Sequence, residues 1–144
     1  YYSIFWDYDR FMKSLSILGS TGSIGTQTID VVRKMPEMFN VKYLSAYSNT
    51  SLIIEQAKIL NPKSICIGSK KDAEDLRFAL KGIEILSGKE GLLELARRDD
   101  IELMVNGLVG SIGMAPTVEA INSGVDIALS NKESLVMIFN YNFN

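Results

Sequence analysis

A glycine-rich turn at residues 19–25, with the sequence Gly-Ser-Thr-Gly-Ser-Ile-Gly, best combines residue types and spacing suited to chemistry. It follows an apolar strand pattern and precedes a helical one. In that setting the unpaired amide groups at the start of the helix attract a phosphate. No lysine follows Gly25, so the turn differs from the P-loop of nucleotide triphosphatases. We predict that it binds the diphosphate of a dinucleotide cofactor; a turn that merely joins strand to helix is the alternative.

Each glycine of the turn has a predicted physical role. Gly19 permits a tight exit from the strand, and Gly22 lets the backbone approach a diphosphate. Gly25 is expected to let the helix pack close to the sheet. Thr21 and Ser23 add hydroxyl donors, so all five residues are candidates for cofactor binding.

The end of the second predicted strand indicates which dinucleotide is bound. An NAD site usually carries a carboxylate there, about 20 residues after the turn, to hold the ribose 2′-hydroxyl. Residues 45–49 read Ser-Ala-Tyr-Ser-Asn and contain no carboxylate. Ser48 and Asn49 can instead donate hydrogen bonds to a 2′-phosphate, which favours NADPH over NADH. That these are ordinary polar loop residues stays open.

The elements that position these residues alternate between strands and helices. This alternation predicts an α/β, Rossmann-like, doubly wound and mainly parallel sheet with helices on both faces. Ser23 is expected to help open the first helix, and Thr50 or Ser51 to cap the second. Strands are predicted at residues 14–18, 41–46, 64–67, 83–86, 101–106 and 125–129, and helices at 24–35, 51–60, 71–80, 90–97 and 116–122.

The composition excludes several classes of site. The 144 residues include no histidine and one cysteine, so a histidine base, a Ser-His-Asp triad and a multi-cysteine metal site are ruled out within the chain. A formal net charge of −2 argues against nucleic acid as a partner. No apolar run is long enough to span a membrane. Cys66 lies in an apolar run and is predicted to be a buried thiol, and a cytoplasmic location is expected.

Two later segments also carry candidate residues. Residues 106–113, Asn-Gly-Leu-Val-Gly-Ser-Ile-Gly, follow a strand and permit a close backbone approach, although a simple connection is an equal alternative. Asn131 can cap the helix expected after the last strand, and Glu133 suits its first turn. Lys132 is disfavoured beside a helix N-terminus, which indicates an anionic or polar ligand unless the side chain is simply solvated.

The glycine turn, residues 30–33, residues 109–117 and the string Ser-Asn-Lys-Glu-Ser-Leu-Val at 130–136 together resemble the 1-deoxy-D-xylulose 5-phosphate reductoisomerase family. The resemblance implies that NADPH phosphates lie against Thr21, Gly22, Ser23 and Ile24. It places Ser48 and Asn49 near the adenosine ribose and its 2′-phosphate. Tyr47 departs from the family, which often has glycine there; it could stack on the adenine or narrow the site. The remaining implied contacts are Asn131 and Glu133 with the cofactor and Lys132 with the substrate.

The family converts 1-deoxy-D-xylulose 5-phosphate to 2-C-methyl-D-erythritol 4-phosphate in non-mevalonate isoprenoid synthesis. The resemblance implies a further domain that supplies a Mg or Mn site and the catalytic groups, so no catalytic residue and no metal ligand is expected here. A homodimer is expected for the full-length enzyme, and inactivity for this segment alone. We predict a non-native or disordered extension at 1–12, the NADPH-binding domain at 13–137 and an atypical truncated tail at 138–144. A stand-alone dinucleotide-binding module and the cofactor domain of another NADP-dependent reductase are the alternatives.

Overall fold

The computed structural model describes residues 12–129, and these form one six-stranded sheet with all its pairings parallel. The strands are β1 (Lys13–Leu18), β2 (Phe39–Ser45), β3 (Ser64–Ile67), β4 (Glu84–Ser87), β5 (Leu103–Asn106) and β6 (Asp126–Leu129). The helices are α1 (Ser23–Lys34), α2 (Thr50–Leu60), α3 (Lys70–Ala79), α4 (Gly88–Ala96) and α5 (Met114–Asn122), with a 3-10 turn at Gly110–Gly113 before α5. The predicted α/β class is confirmed.

Successive side chains of each strand point to opposite faces of the sheet, so both faces are apolar. Helices cover both faces. Ile17 belongs to an apolar layer beneath α1, α2 and α3, whereas Leu18, the next residue, belongs to a second layer beneath α4 and α5. Cys66 lies in the second layer and is 3% exposed, which confirms the predicted buried thiol. No helix within residues 12–129 is long and apolar enough to cross a membrane.

The strand order is β4-β3-β2-β1-β5-β6. The chain moves outward from β1 through β2 and β3 to β4, and then returns to place β5 on the other side of β1. The direction of winding therefore reverses between β1 and β5. In open α/β sheets, ligands bind outside the carboxyl ends of the strands at such a reversal. The glycine turn follows β1 and the second glycine-rich segment follows β5, so the fold brings both to this position.

One local prediction about helix capping is wrong. The cap of α2 is Asn49, whose Oδ1 accepts a hydrogen bond from the amide of Leu52 at 3.2 Å, and neither Thr50 nor Ser51 has that role. Asparagine is among the strongest N-cap residues, and here it takes the position immediately before the helix. At α1, Gly22 occupies the cap position without any side-chain bond, and Ser23 is the first helical residue.

Candidate cofactor site

The glycine turn is closed by contacts that only glycine allows. Gly19 has a φ of +71°, and a Cβ there would lie 3.1 Å from the carbonyl carbon of Gly107. A Cβ at Gly25 would overlap the carbonyl oxygen of Gly19 and lie 2.5 Å from Ser20 Cα. Gly25 therefore lets α1 pack against the turn itself. We expected it to let the helix pack against the sheet, and the structure corrects that expectation. At Gly22 a Cβ would meet only the Gly19 oxygen, at 3.4 Å.

The same turn presents backbone donors at the start of α1. Among the residues that the structure describes, the amides of Thr21, Ser23 and Ile24 have no hydrogen-bond acceptor. The amide of Gly22 differs, because it donates to the carbonyl of Gly19 at 3.1 Å within the turn. The first turn of α1 contains no acidic residue. These amides and the helix dipole form a site that suits an anion such as a diphosphate.

Two buried polar side chains fix the turn from behind. Ser20 Oγ donates to Gln56 Oε1 at 2.8 Å, and Gln56 Nε2 donates to the carbonyl of Ser20 at 2.9 Å. Ser45, at the end of β2, accepts from the amide of Gly19 through Oγ at 3.1 Å and from that of Ser20 through its carbonyl at 2.8 Å. Sequence reasoning missed the role of Gln56. The available signal was a glutamine on the apolar face of α2, in helical register with Ile53 and Ala57.

A buried asparagine fixes the segment after β5. Asn106 Nδ2 donates to the carbonyl of Gly113 at 2.9 Å and to Thr117 Oγ1 at 2.7 Å, while its Oδ1 accepts from the amide of Leu108 at 3.1 Å. A Cβ at Gly107 would lie 3.0 Å from the carbonyl oxygen of Leu18. The segment after β5 therefore packs backbone to backbone against the glycine turn, and its glycines do more than join two elements.

Beside the turn, an apolar cavity of about 550 Å³ opens at the carboxyl ends of the strands. Tyr47, Val109 and Ile112 line it and are largely exposed. Burial, with a smaller contribution from the negative charge of Glu94, raises the pKa of the Cys66 thiol to about 12, so this lining sulfur is protonated at neutral pH. The other lining residues are Ser45, Ala46, Ile67, Gly68, Gly88, Lys89, Leu92 and Leu108.

The residues expected near the 2′-phosphate lie between β2 and α2. Ser48 is exposed, and its carbonyl accepts from the amide of Thr50 at 2.9 Å. Asn49 uses Oδ1 for capping, and its Nδ2 has no acceptor within residues 12–129. The first turn of α2 contains no acidic residue, in contrast to Asp72 in the first turn of α3. A hydroxyl, an amide donor and a helix N-terminus therefore follow one another in this exposed loop.

Asn131, Lys132 and Glu133 lie outside the described residues. The last described strand, β6, pairs with β5, and Leu129 is level with Asn106 at the carboxyl edge of the sheet. Within residues 12–129 no three His, Cys, Asp or Glu side chains are grouped as a metal site would require.

The strand order, the reversal beside β1 and the glycine turn define a Rossmann-like α/β domain of the dinucleotide-binding class. A family model described as 1-deoxy-D-xylulose 5-phosphate reductoisomerase matches residues 15–138. The chain therefore belongs to the 1-deoxy-D-xylulose 5-phosphate reductoisomerase family.

Individual relatives agree with this assignment. The chain is 48% identical over 128 residues to the reductoisomerase of Chloroherpeton thalassium, covering 88% of this chain and 33% of the relative. It is 44% identical over 128 residues to the chloroplastic enzyme of Mentha piperita, covering 86% of this chain and 27% of the relative. The chain thus spans about a third or less of the length of these curated relatives.

Solved structures of the family share this fold. The reductoisomerase from Zymomonas mobilis in complex with NADPH matches with a TM-score of 0.80 and 32% identity, covering 86% of this chain and 33% of that one. A reductoisomerase in complex with NADPH, fosmidomycin and magnesium matches with a TM-score of 0.81 and 35% identity, covering 87% and 31%.

Proposed function

We propose that this chain is the NADPH-binding portion of a 1-deoxy-D-xylulose 5-phosphate reductoisomerase. The observation that carries the proposal is the set of amides at Thr21, Ser23 and Ile24 that have no acceptor within residues 12–129, held at the reversal beside β1. They would bind the cofactor diphosphate while Gly19, Gly22 and Gly25 shape the turn. The NADPH complexes of two structural relatives support the choice of cofactor.

The phosphorylated dinucleotide is supported by the segment after β2. Ser48 and Asn49 offer donors, α2 directs its N-terminus there, and residues 45–49 and the first turn of α2 contain no carboxylate that would repel a 2′-phosphate. Bound NADPH would supply a hydride, and the residues of this chain would hold the cofactor and keep its diphosphate in place. From the family resemblance we assign Asn131 and Glu133 to further cofactor contacts and Lys132 to the sugar-phosphate substrate.

For the whole enzyme we propose the rearrangement and reduction of 1-deoxy-D-xylulose 5-phosphate to 2-C-methyl-D-erythritol 4-phosphate. A divalent metal, Mg or Mn, would be held by groups in the two thirds of the relatives that this chain does not span. The 144-residue chain alone is then inactive. We also propose a cytoplasmic homodimer with no nucleic-acid or membrane partner, and an NADPH-binding domain at residues 13–137 between an extension at 1–12 and a tail at 138–144.

Calorimetric titration of the full chain with NADPH and NADH tests the cofactor assignment. We expect saturable 1:1 binding of NADPH and weaker binding of NADH. Tighter binding of NADH would overturn the choice of NADPH, and binding of neither would reduce the turn to a connection between strand and helix. Turnover of 1-deoxy-D-xylulose 5-phosphate by this chain alone would contradict the proposal that this chain binds the cofactor but is inactive by itself.

A further inference from the structure

Tyr47 stands at the mouth of the apolar cavity in a fixed position. The loop after β2 continues to pair with the end of β3, because the amide of Ala46 donates to Cys66 at 3.0 Å and that of Gly68 donates to Tyr47 at 2.9 Å. A Cβ at Gly68 would lie 2.8 Å from Tyr47 Cδ2 and 3.1 Å from Cε2. The aromatic ring therefore occupies the space that a side chain at position 68 would need.

The rest of the ring is open, since Tyr47 is 82% exposed. An aromatic ring held on one side by backbone and left uncovered elsewhere exposes apolar area that a ligand can bury. Tyr47 borders a cavity with a mainly apolar lining, which suits a planar base better than a phosphate or a sugar.

A second apolar group lines the same cavity from the segment after β5. Val109 is 78% exposed and Ile112 is 64% exposed. Tyr47, Val109 and Ile112 therefore line one cavity of about 550 Å³, and a planar base that enters it can contact apolar side chains from both loops.

We infer that Tyr47 contacts the adenine of the cofactor and sets the affinity of the site for the adenosine half. This inference rests on the proposed binding of NADPH. It makes Tyr47 a specificity-determining residue of this chain. Gly68 supports the role, because it leaves room for the ring.

The test uses the full chain with Tyr47→Leu and Tyr47→Phe, titrated with NADPH, adenosine 2′,5′-bisphosphate and reduced nicotinamide mononucleotide. Tyr47→Leu should weaken NADPH and the bisphosphate by a similar factor, on the order of 10-fold, as expected for loss of base–aromatic stacking. Tyr47→Phe should bind both within about 2-fold of the wild type because it keeps the ring. The mononucleotide, which lacks adenine, should bind equally to all three proteins.

Phe78→Leu is the matched control, because Phe78 is also 82% exposed and does not line the cavity. It should leave all three affinities unchanged. Unchanged or tighter binding of NADPH by Tyr47→Leu would overturn the inference, and tighter binding would show that the ring narrows the site. An equal loss for the mononucleotide would also overturn it, because the whole site would then be disturbed. Failure of the wild type to bind NADPH would instead refute the proposed function on which the inference rests.

Discussion

The amino and carboxyl ends of the sheet differ in how their polar groups are paired. At the amino end, charged side chains satisfy one another: Asp100 pairs with Lys42 at 3.6 Å and Lys63 at 3.3 Å, and Arg98 pairs with Glu84 at 2.8 Å. At the carboxyl end, none of the ion pairs of residues 12–129 involves the glycine turn or the cavity. Backbone donors and apolar side chains are left open there instead. In the proposed function the carboxyl end receives the cofactor, and the ion pairs of the amino end contribute only to stability.

Within the carboxyl end, the glycine turn proposed for the diphosphate differs from the loop proposed for the adenosine half of the cofactor. The glycine turn is fixed by hydrogen bonds that its amides donate to Ser45, by the buried hydrogen bond that Gln56 donates to Ser20, and by backbone contacts at Gly25. Tyr47 and Ser48, on the loop after β2, are instead largely exposed. The diphosphate, common to all such cofactors, is thus assigned to atoms that side-chain substitution cannot alter directly. The adenosine half is assigned to side chains that can vary.

Gly25→Ala should have the largest effect. The new Cβ would overlap the Gly19 carbonyl, and the backbone of the turn cannot move without breaking its bonds to Ser45. We expect the free energy of unfolding to fall by about 3 kcal/mol or more. Urea denaturation in the absence of cofactor measures it, with Gly22→Ala as the matched control, because a Cβ there meets only an ordinary contact at 3.4 Å. The control should lose about 1 kcal/mol or less. Equal losses in the two variants would show that close packing does not define the turn.

Gln56→Ala should rank second. It leaves the Oγ and the carbonyl of Ser20 buried without the partners they now have, which costs about 2–3 kcal/mol, and it should weaken NADPH because the turn loses its support. Denaturation and calorimetry report the two effects. Gln27→Ala is the control, since the exposed Gln27 side chain makes a single hydrogen bond within residues 12–129, from Nε2 to Ser23 Oγ at 3.3 Å. A loss of stability in Gln56→Ala no greater than in Gln27→Ala would contradict the role given to Gln56.

These two glutamines show where prediction from the sequence reaches its limit. The position of the turn, the identity of the strands and the α/β class follow from local patterns, such as glycines between an apolar run and a helical one. The partner of Gln56 lies 36 residues away, and nothing in the local pattern distinguishes it from Gln27 except its place on the apolar face of α2. The contact between Gly19 and Gly107 likewise depends on β5 lying beside β1, an order that the alternation of elements leaves undetermined.

Ser48→Asp should shift the cofactor preference from NADPH towards NADH, with a smaller free-energy change than the losses of stability above. A carboxylate there would repel the 2′-phosphate and could accept a hydrogen bond from a ribose 2′-hydroxyl. We expect NADPH to bind about 10-fold more weakly, near 1.4 kcal/mol, and NADH to bind as well as before or better. Calorimetry with both cofactors measures the ratio. Asn122→Asp adds the same charge at the end of α5, near the amino edge of the sheet, and should leave the ratio unchanged. An equal shift in both variants would indicate a general charge effect.

Asp100→Asn should have the smallest effect, and it probes the amino end. Burial disfavours the charged form of Asp100, but hydrogen bonds from Tyr43 and Lys63 and the charges of Lys42 and Lys63 prevail and hold its pKa below the ordinary value. A lowered pKa in the folded state means that the carboxylate stabilises the fold above its unfolded-state pKa, and that this contribution is lost as pH falls through the folded-state pKa. Because the side chain is 40% exposed, we expect Asp100→Asn to cost less than about 1 kcal/mol at pH 7. The difference from wild type should shrink below about pH 4 in urea denaturation.

The neighbouring Asp99 is exposed and has no ion pair or hydrogen bond within residues 12–129, so Asp99→Asn should change little at either pH. A cost for Asp100→Asn that stays constant with pH would mean that its charge contributes nothing, and that the ion pairs do not distinguish the two ends of the sheet.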